Sequence, residues 1–305
     1  MIIETLRESG LTDLELVKYI NELLPYDFVD IETYRRVTLN DPNHDKSNMF
    51  LFRGSNGYDA IVSIVYLKQI VIPELVNHAW IKLFAVRHDR EIVDRVLDWV
   101  EDHVKSMNKQ VLHIYGYAPF YYTTGIDRRY YNYVKVIEGR GYSIHSRVVN
   151  YYVDMYHYSY PPDVYETIKS LVQQGYKIYV ANEEEYKEII EWIKEKFGIV
   201  WAIETELTKK YLDSGVVVLR DNKGNIIGFN TFSATSPIRY GPVGVDEKYR
   251  GKGYGRVLLH YTLREMRNRG HVIVEIPWTT HLYYYADVPG VFRIRYFLIY
   301  EKRLE

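Results

Sequence analysis

Residues 243–256 run Val243-Gly244-Val245-Asp246-Glu247-Lys248-Tyr249-Arg250-Gly251-Lys252-Gly253-Tyr254-Gly255-Arg256. A β-branched strand end passes through a short acidic turn into three glycines at alternate positions. Beyond them Val257 to Arg269 has helical periodicity and stops at Gly270. Glycines at a strand-to-helix junction let backbone N–H groups approach a ligand with no Cβ in the way. The helix N-terminus adds its positive dipole end, and Arg250, Lys252 and Arg256 add charge. Together these suit a pyrophosphate. A dinucleotide fingerprint would need G-x-G-x-x-G, and a P-loop four residues between Gly and Gly-Lys followed by Ser or Thr. The spacing here is G-x-G-x-G, so both fit poorly, while a turn with a purely conformational role stays open.

Working outward, the second half reads as mixed α/β. Val164, Ile168, Leu171 and Val172 recur at helical spacing, and Tyr176 to Ala181 is a short strand. Asn182 three residues before Glu185 is a capping-box pattern for a helix carrying Ile189, Ile190, Ile193 and Phe197. A second helix is expected over Ala202 to Leu212. Asp221-Asn222-Lys223-Gly224-Asn225 between two β-branched runs predicts a hairpin. After the glycine turn and its helix come a strand at His271 to Ile276, a short helix at Thr279 to Ala286, and a strand at Phe292 to Tyr300. Hairpins among the helices mean the sheet is not purely parallel.

A similar order occupies the first half. Helices are expected near Asp13–Leu24, Ile31–Val37, Ile92–Met107 and Arg128–Glu138. Strands are expected at Met49–Arg53, Ile61–Leu67, Trp80–Val86, Val111–Tyr115 and Val148–Met155. Pro161-Pro162 breaks the chain between the halves, which predicts domains at 1–157 and 158–305. Two copies of one topology follow.

Composition narrows the function. The 305 residues carry 39 Lys+Arg against 40 Asp+Glu, so the basic surplus of a general phosphate binder is missing and no nucleic-acid partner is expected. There is no Cys, which removes disulfides, thiolate zinc sites and cysteine nucleophiles. Ten His show no H-E-x-x-H; His78, His88, His103 and His113 look scattered, and no metal is expected. No stretch approaches 18 apolar residues and the N-terminal ten include two acids, so a cytoplasmic chain without membrane contact is the expectation. The 32 Tyr supply stiff apolar bulk with a polar tip.

Arg250-Gly251-Lys252-Gly253-Tyr254-Gly255, preceded by Val243 to Tyr249, resembles motif A of the GNAT N-acetyltransferase superfamily, (Q/R)-x-x-G-x-(G/A). Arg250, Gly253 and Gly255 occupy the signature positions. The later elements also fall in the family's order, so the likeness covers most of 160–305. It implies an α/β (α+β) fold with two GNAT-like domains. Each would be a mixed, mostly antiparallel twisted sheet flanked by helices, with a splay between strands 4 and 5. It further implies acetyl-CoA as cosubstrate, with Val243, Gly244 and Val245 along pantetheine and Arg250 to Gly255 with Arg256 around the pyrophosphate.

The resemblance also implies direct attack by a primary amine on the acetyl group, the acceptor being a small molecule or peptide and the enzyme a monomer or homodimer. Tyr285, five residues before Gly290, matches the family's proton donor, with Tyr284 and Tyr283 as rivals. Glu275 is the candidate base, with Glu204 and Glu206 as alternatives, and Trp278-Thr279 stand where the family often has Asn. The first half has no glycine in Val86-Arg87-His88-Asp89-Arg90-Glu91-Ile92, where Asp89 and Glu91 would meet phosphate. It reads as a degenerate copy that does not bind CoA. A CoA-responsive binding or regulatory protein without turnover is the alternative function.

Overall fold

A computed structural model of the chain describes residues 2–55, 57–68 and 72–304. The strands are β1 (Ile2–Thr5), β2 (Met49–Gly54), β3 (Gly57–Tyr66), β4 (His78–Val86), β5 (Val111–Ile114), β6 (Ile126–Asp127), β7 (Ser143–Asp154), β8 (Lys177–Val180), β9 (Gly215–Arg220), β10 (Ile226–Phe232), β11 (Tyr240–Val245), β12 (Ile273–Thr279) and β13 (Val291–Arg303). The helices are α1 (Leu6–Ser9), α2 (Asp13–Leu23), α3 (Ile31–Leu39), α4 (Arg90–Ser106), α5 (Tyr131–Gly139), α6 (Pro162–Gln173), α7 (Tyr186–Phe197), α8 (Ile199–Leu207) and α9 (Tyr254–Asn268).

Two compact units result. The first gathers residues up to Val148 together with those from Arg295 onward; the second is Val149–Ile294. This differs from a single cut at 157, because the chain's last strand returns to the first unit. There Tyr300–Arg303 of β13 pairs antiparallel with β5, and Phe297 and Leu298 pair with β6. Residues 149–154 of β7 belong to the second unit and pair antiparallel with β12. The outermost residues of the expected domains, Met1 and Glu305, lie outside the described residues.

In the first unit β1, β2, β3 and β4 form antiparallel neighbours, and β4 pairs parallel with β5. In the second, β8, β9, β10 and β11 make an antiparallel sheet. One face of that sheet (Val217, Leu219, Ile227) packs on Val257, Leu258, Leu263 and Met266 of α9. The other face (Val216, Val218, Phe229) packs on Ile189 and Ile193 of α7 and Ala202 of α8. The two helix faces follow from apolar residues at three- and four-residue spacing. The capping box is present, with Asn182 accepting from Glu185 N–H. The β9–β10 hairpin closes as predicted, since Asp221 Oδ1 accepts from the N–H groups of Lys223 and Asn225 at 3.0 and 2.8 Å.

Three local expectations change. β1 and α1, in the first ten residues, had no counterpart in the sequence reading. The helix expected over Ala202–Leu212 starts earlier and ends at Leu207. No helix forms at Thr279–Ala286; Thr279 ends β12 and turns follow. Tyr151 Oη donates to the Leu282 carbonyl there, and Tyr285 and Val288 turn inward to the core. Burying those aromatic and apolar groups outweighs weak local helix propensity.

Candidate active site

The glycine turn connects β11 to α9 after one tight turn, Glu247–Tyr249, capped by Asp246. Gly251 and Gly253 have φ of +77° and +81°, the left-handed region that L side chains rarely adopt. A Cβ on either would meet nothing within 4 Å. Glycine is therefore required for chain direction, and the turn faces open space. Gly253 is the N-cap of α9 and offers no side-chain hydrogen bond to the helix's first N–H groups. That arrangement can receive an anion.

The flanking side chains divide by role. Arg250 and Lys252 are exposed and, among the described residues, have no carboxylate partner; Arg250 Nε donates to the Val245 carbonyl and Lys252 lies over the Tyr249 ring. Arg256 already pairs with Asp163 at 3.3 Å and Asp287 at 4.0 Å. Val243 and Val245 are half-buried on the α9 side. Gly244 faces the other way, where a Cβ would lie 2.6 Å from the Phe197 ring. Tyr254 is a core residue beside Tyr176, so only its backbone faces the turn. Gly255 makes room for Tyr284, whose Oη would be 2.9 Å from a Cβ there.

The expected splay is present. β11 is the edge of its sheet, and its link to β12 is one parallel bridge, Arg239 to Glu275, with Glu275 N–H donating to the Ile238 carbonyl at 2.7 Å. Past this point, among the described residues, β11 and β12 share no further bridge.

A buried polar network sits at that apex. Glu275 Oε1 accepts from Asn150 Nδ2 and Tyr152 Oη, both at 2.8 Å, and Oε2 from Arg239 Nε at 3.2 Å. Asn150 Oδ1 in turn accepts from the Trp278 N–H at 3.0 Å, where Trp278 has a φ of +53°. An amide from β7 therefore stands where the sequence itself offers Trp278-Thr279. Arg239 Nη1 reaches Thr235 Oγ1, and Thr235 Oγ1 reaches Glu204 Oε1, each at 3.4 Å.

The three candidate bases separate by environment. Glu275 is surrounded by donors. Glu206 is exposed beside Lys209. Glu204 is buried, and its desolvation, offset in part by Arg239 and Thr235, raises its pKa from 4.5 to about 8. A carboxyl held near neutrality suits proton transfer.

Tyr285 is 8% exposed and stands among three other phenols, with ring centroids 4.8 Å from Tyr284, 6.0 Å from Tyr151 and 6.4 Å from Tyr240. Among the described residues its hydroxyl has no hydrogen-bond partner, and burial raises its pKa, keeping the proton in place at neutral pH. Tyr284 is 45% exposed, and Tyr283 points to solvent at 86%. Asn230 and Tyr240 are buried too, with the Tyr240 hydroxyl beside the Asn230 amide.

The first unit closes the equivalent positions with its own groups. Asp89 Oδ1 accepts from the N–H groups of Glu91 and Ile92 at 2.9 and 3.1 Å, capping α4. On β4 the Phe84 N–H donates to Tyr115 Oη at 3.3 Å, and the Val86 N–H and carbonyl both engage Tyr133 Oη.

The residues the sequence reading missed are Asn150, Tyr152, Thr235 and Arg239. Of these only Thr235 has a sequence signal, the hydroxyl-rich run Thr231, Ser233, Thr235, Ser236 between apolar segments, all buried.

Residues 186–283 match the acetyltransferase (GNAT) family. No curated protein sequence matches the chain. Among solved structures, the GCN5-related glucosamine N-acetyltransferase region of a fungal multi-domain GH3 β-N-acetylglucosaminidase aligns over 99% of this chain at 13% identity and a TM-score of 0.75; this chain spans 38% of that one. A GCN5-related N-acetyltransferase from Sphaerobacter thermophilus aligns over 100% of this chain and 96% of its own, at 13% identity and a TM-score of 0.66. The tandem GNAT protein of the clavulanic acid biosynthesis pathway aligns over 100% and 99%, at 10% identity and a TM-score of 0.65. The fold is thus that of tandem GNAT proteins, with the glycine motif kept in the second copy. No helix among the described residues is long and apolar enough to cross a membrane.

Proposed function

We propose, on the premise that residues 186–283 form a domain of the acetyltransferase (GNAT) family, that this chain moves an acetyl group from acetyl-CoA to a primary amine in the cytoplasm. The observation carrying the proposal is an uncapped, open glycine turn at one end of the free β11 edge, with a buried carboxyl of raised pKa beside the apex. Bound acetyl-CoA supplies an activated acyl thioester. The backbone of Val243–Val245 would line its pantetheine, and Arg250–Gly255 its pyrophosphate.

Glu204 takes the proton that an incoming ammonium must shed, so that a neutral nitrogen attacks the carbonyl carbon. Tyr285 Oη holds a proton for the departing sulfur, with Tyr284 as its neighbour. Arg239 and Glu275 fix the apex and, through Thr235, the surroundings of Glu204. Only the second unit takes part, since Asp89, Tyr115 and Tyr133 satisfy the backbone groups of the first.

The test is thiol release from acetyl-CoA with a panel of amines: an amino sugar, the acceptor class named for the fungal region, then a polyamine and a peptide. Release above hydrolysis supports the enzyme. Tight CoA binding with release at background overturns turnover in favour of a CoA-responsive binding protein.

A further inference from the structure

In the first unit four strands carry a row of polar and aromatic side chains: His78 and Trp80 on β4, His113 on β5, Glu301 on β13 and His145 on β7. Register places Trp80 opposite His113 and His113 opposite Glu301. Directly opposed residues project from the same face of a sheet. His145 Nδ1 lies 2.9 Å from Glu301 Oε2, and His113 Nδ1 lies 3.8 Å from the same oxygen. The candidate ligand atoms of His113, His145 and Glu301 all fall within 4.8 Å of one another.

The rest of the row holds His113 ready. Its Nε2 is 2.7 Å from His78 Nδ1, and Trp80 stacks on its ring at 5.1 Å and 10°. With Nε2–H donating to His78, the Nδ1 lone pair faces Glu301; a fixed hydrogen bond on the far nitrogen commonly orients a ligating imidazole. His113 is 6% exposed, and burial with two neighbouring histidines lowers its pKa to about 4, so the ring is neutral at pH 7.

We propose that His113, His145 and Glu301 bind one divalent first-row transition cation, with Zn2+ the best match, and that the cation fastens β13 beside β5 and β7. Two imidazoles and a carboxylate leaving an open position suit zinc, whereas Mg2+ and Ca2+ prefer all-oxygen sites. Tetrahedral ligand atoms about 2.1 Å from one ion stand about 3.4 Å apart. The widest pair of ligand atoms, within 4.8 Å, therefore has to close by up to about 1.4 Å when the ion binds. The side chains of His145 and Glu301, 52% and 38% exposed, have room to do so. Joining residues so distant in sequence constrains the unfolded chain as a cross-link would.

The experiment titrates the full chain, without an affinity tag, with zinc chloride by calorimetry, and follows its melting temperature. One Zn2+ per chain and a higher Tm are expected. His145→Ala and Glu301→Gln, both at the solvent-facing side, should each weaken binding by on the order of tenfold or more and abolish the Tm rise, while the metal-free Tm stays near wild type. Cobalt(II) should show visible d–d absorption that the same variants lose. No binding, binding unchanged in both variants, or equal binding of Mg2+ would overturn the proposal.

Discussion

Arg239 and Glu275 join β11 to β12 at their single bridge, Nε to Oε2 at 3.2 Å, both side chains nearly shut off from water. Among the described residues no further bridge joins the two strands beyond that pair. The ion pair is where the cleft begins, and its partners Asn150, Tyr152 and Thr235 tie β7 and the β10–β11 loop to the same point.

Removing one member of a buried pair leaves the other uncompensated. Glu275→Ala should lower stability by about 3–5 kcal/mol. Tyr152→Phe, which deletes one hydrogen bond to the same charged carboxylate, should cost about 1.5–3 kcal/mol. Urea denaturation of the two variants checks the ordering; equal, small effects would show that the network is not holding the apex.

Gly253→Val tests the turn. With φ at +81° and open space above the Cβ position, the substitution strains the backbone without a clash. The N–H groups of the turn would swing away from a bound pyrophosphate, and CoA affinity should fall by about 2–3 kcal/mol, the cost of leaving charged groups unpaired. Calorimetry should give one CoA per chain in the wild type. Two sites, or unaltered affinity in the variant, would contradict the assignment.

Glu204 predicts two pH effects. As the base it must be ionised, so kcat/KM should rise with pH and level off above about 8. Glu204→Gln should lower kcat by roughly 10²–10⁴-fold at every pH. Its folded pKa is raised, so between about 4.5 and 8 the folded chain keeps a proton that the unfolded chain has released. This group's contribution is therefore full below the unfolded value and lost as pH rises through the folded one. Stability should decline across that window, and Glu204→Gln should flatten the decline in denaturant titrations.

Tyr285→Phe keeps a ring packed against Tyr151, Tyr240 and Tyr284 and deletes only the hydroxyl. If Tyr285 protonates the leaving sulfur, kcat should drop by roughly 10²-fold or more while CoA affinity and Tm hold. Tyr284→Phe and Tyr283→Phe should cost far less. A selective loss at Tyr284 would move the role to the residue beside Gly255.

Short-range chemistry sets the local elements and the turn. Alternating β-branched runs around Asp221–Asn225, the Asn182–Glu185 cap and Gly251 with Gly253 each act within a few residues of chain, where turn chemistry and periodicity are decisive. For the same reason the motif of residues 243–256 is legible in the sequence alone. Thr279–Ala286 was misread because the burial of Tyr285 and the Tyr151 bond to Leu282 act across more than 120 residues. Long-range packing makes β13 close the first unit, sets Asn150 beside Trp278, and desolvates Glu204 rather than Glu206. Only it gathered His113, His145 and Glu301. Strand register and burial bring together side chains with no sequence spacing in common, and those two quantities set distances and pKa values that no linear pattern carries.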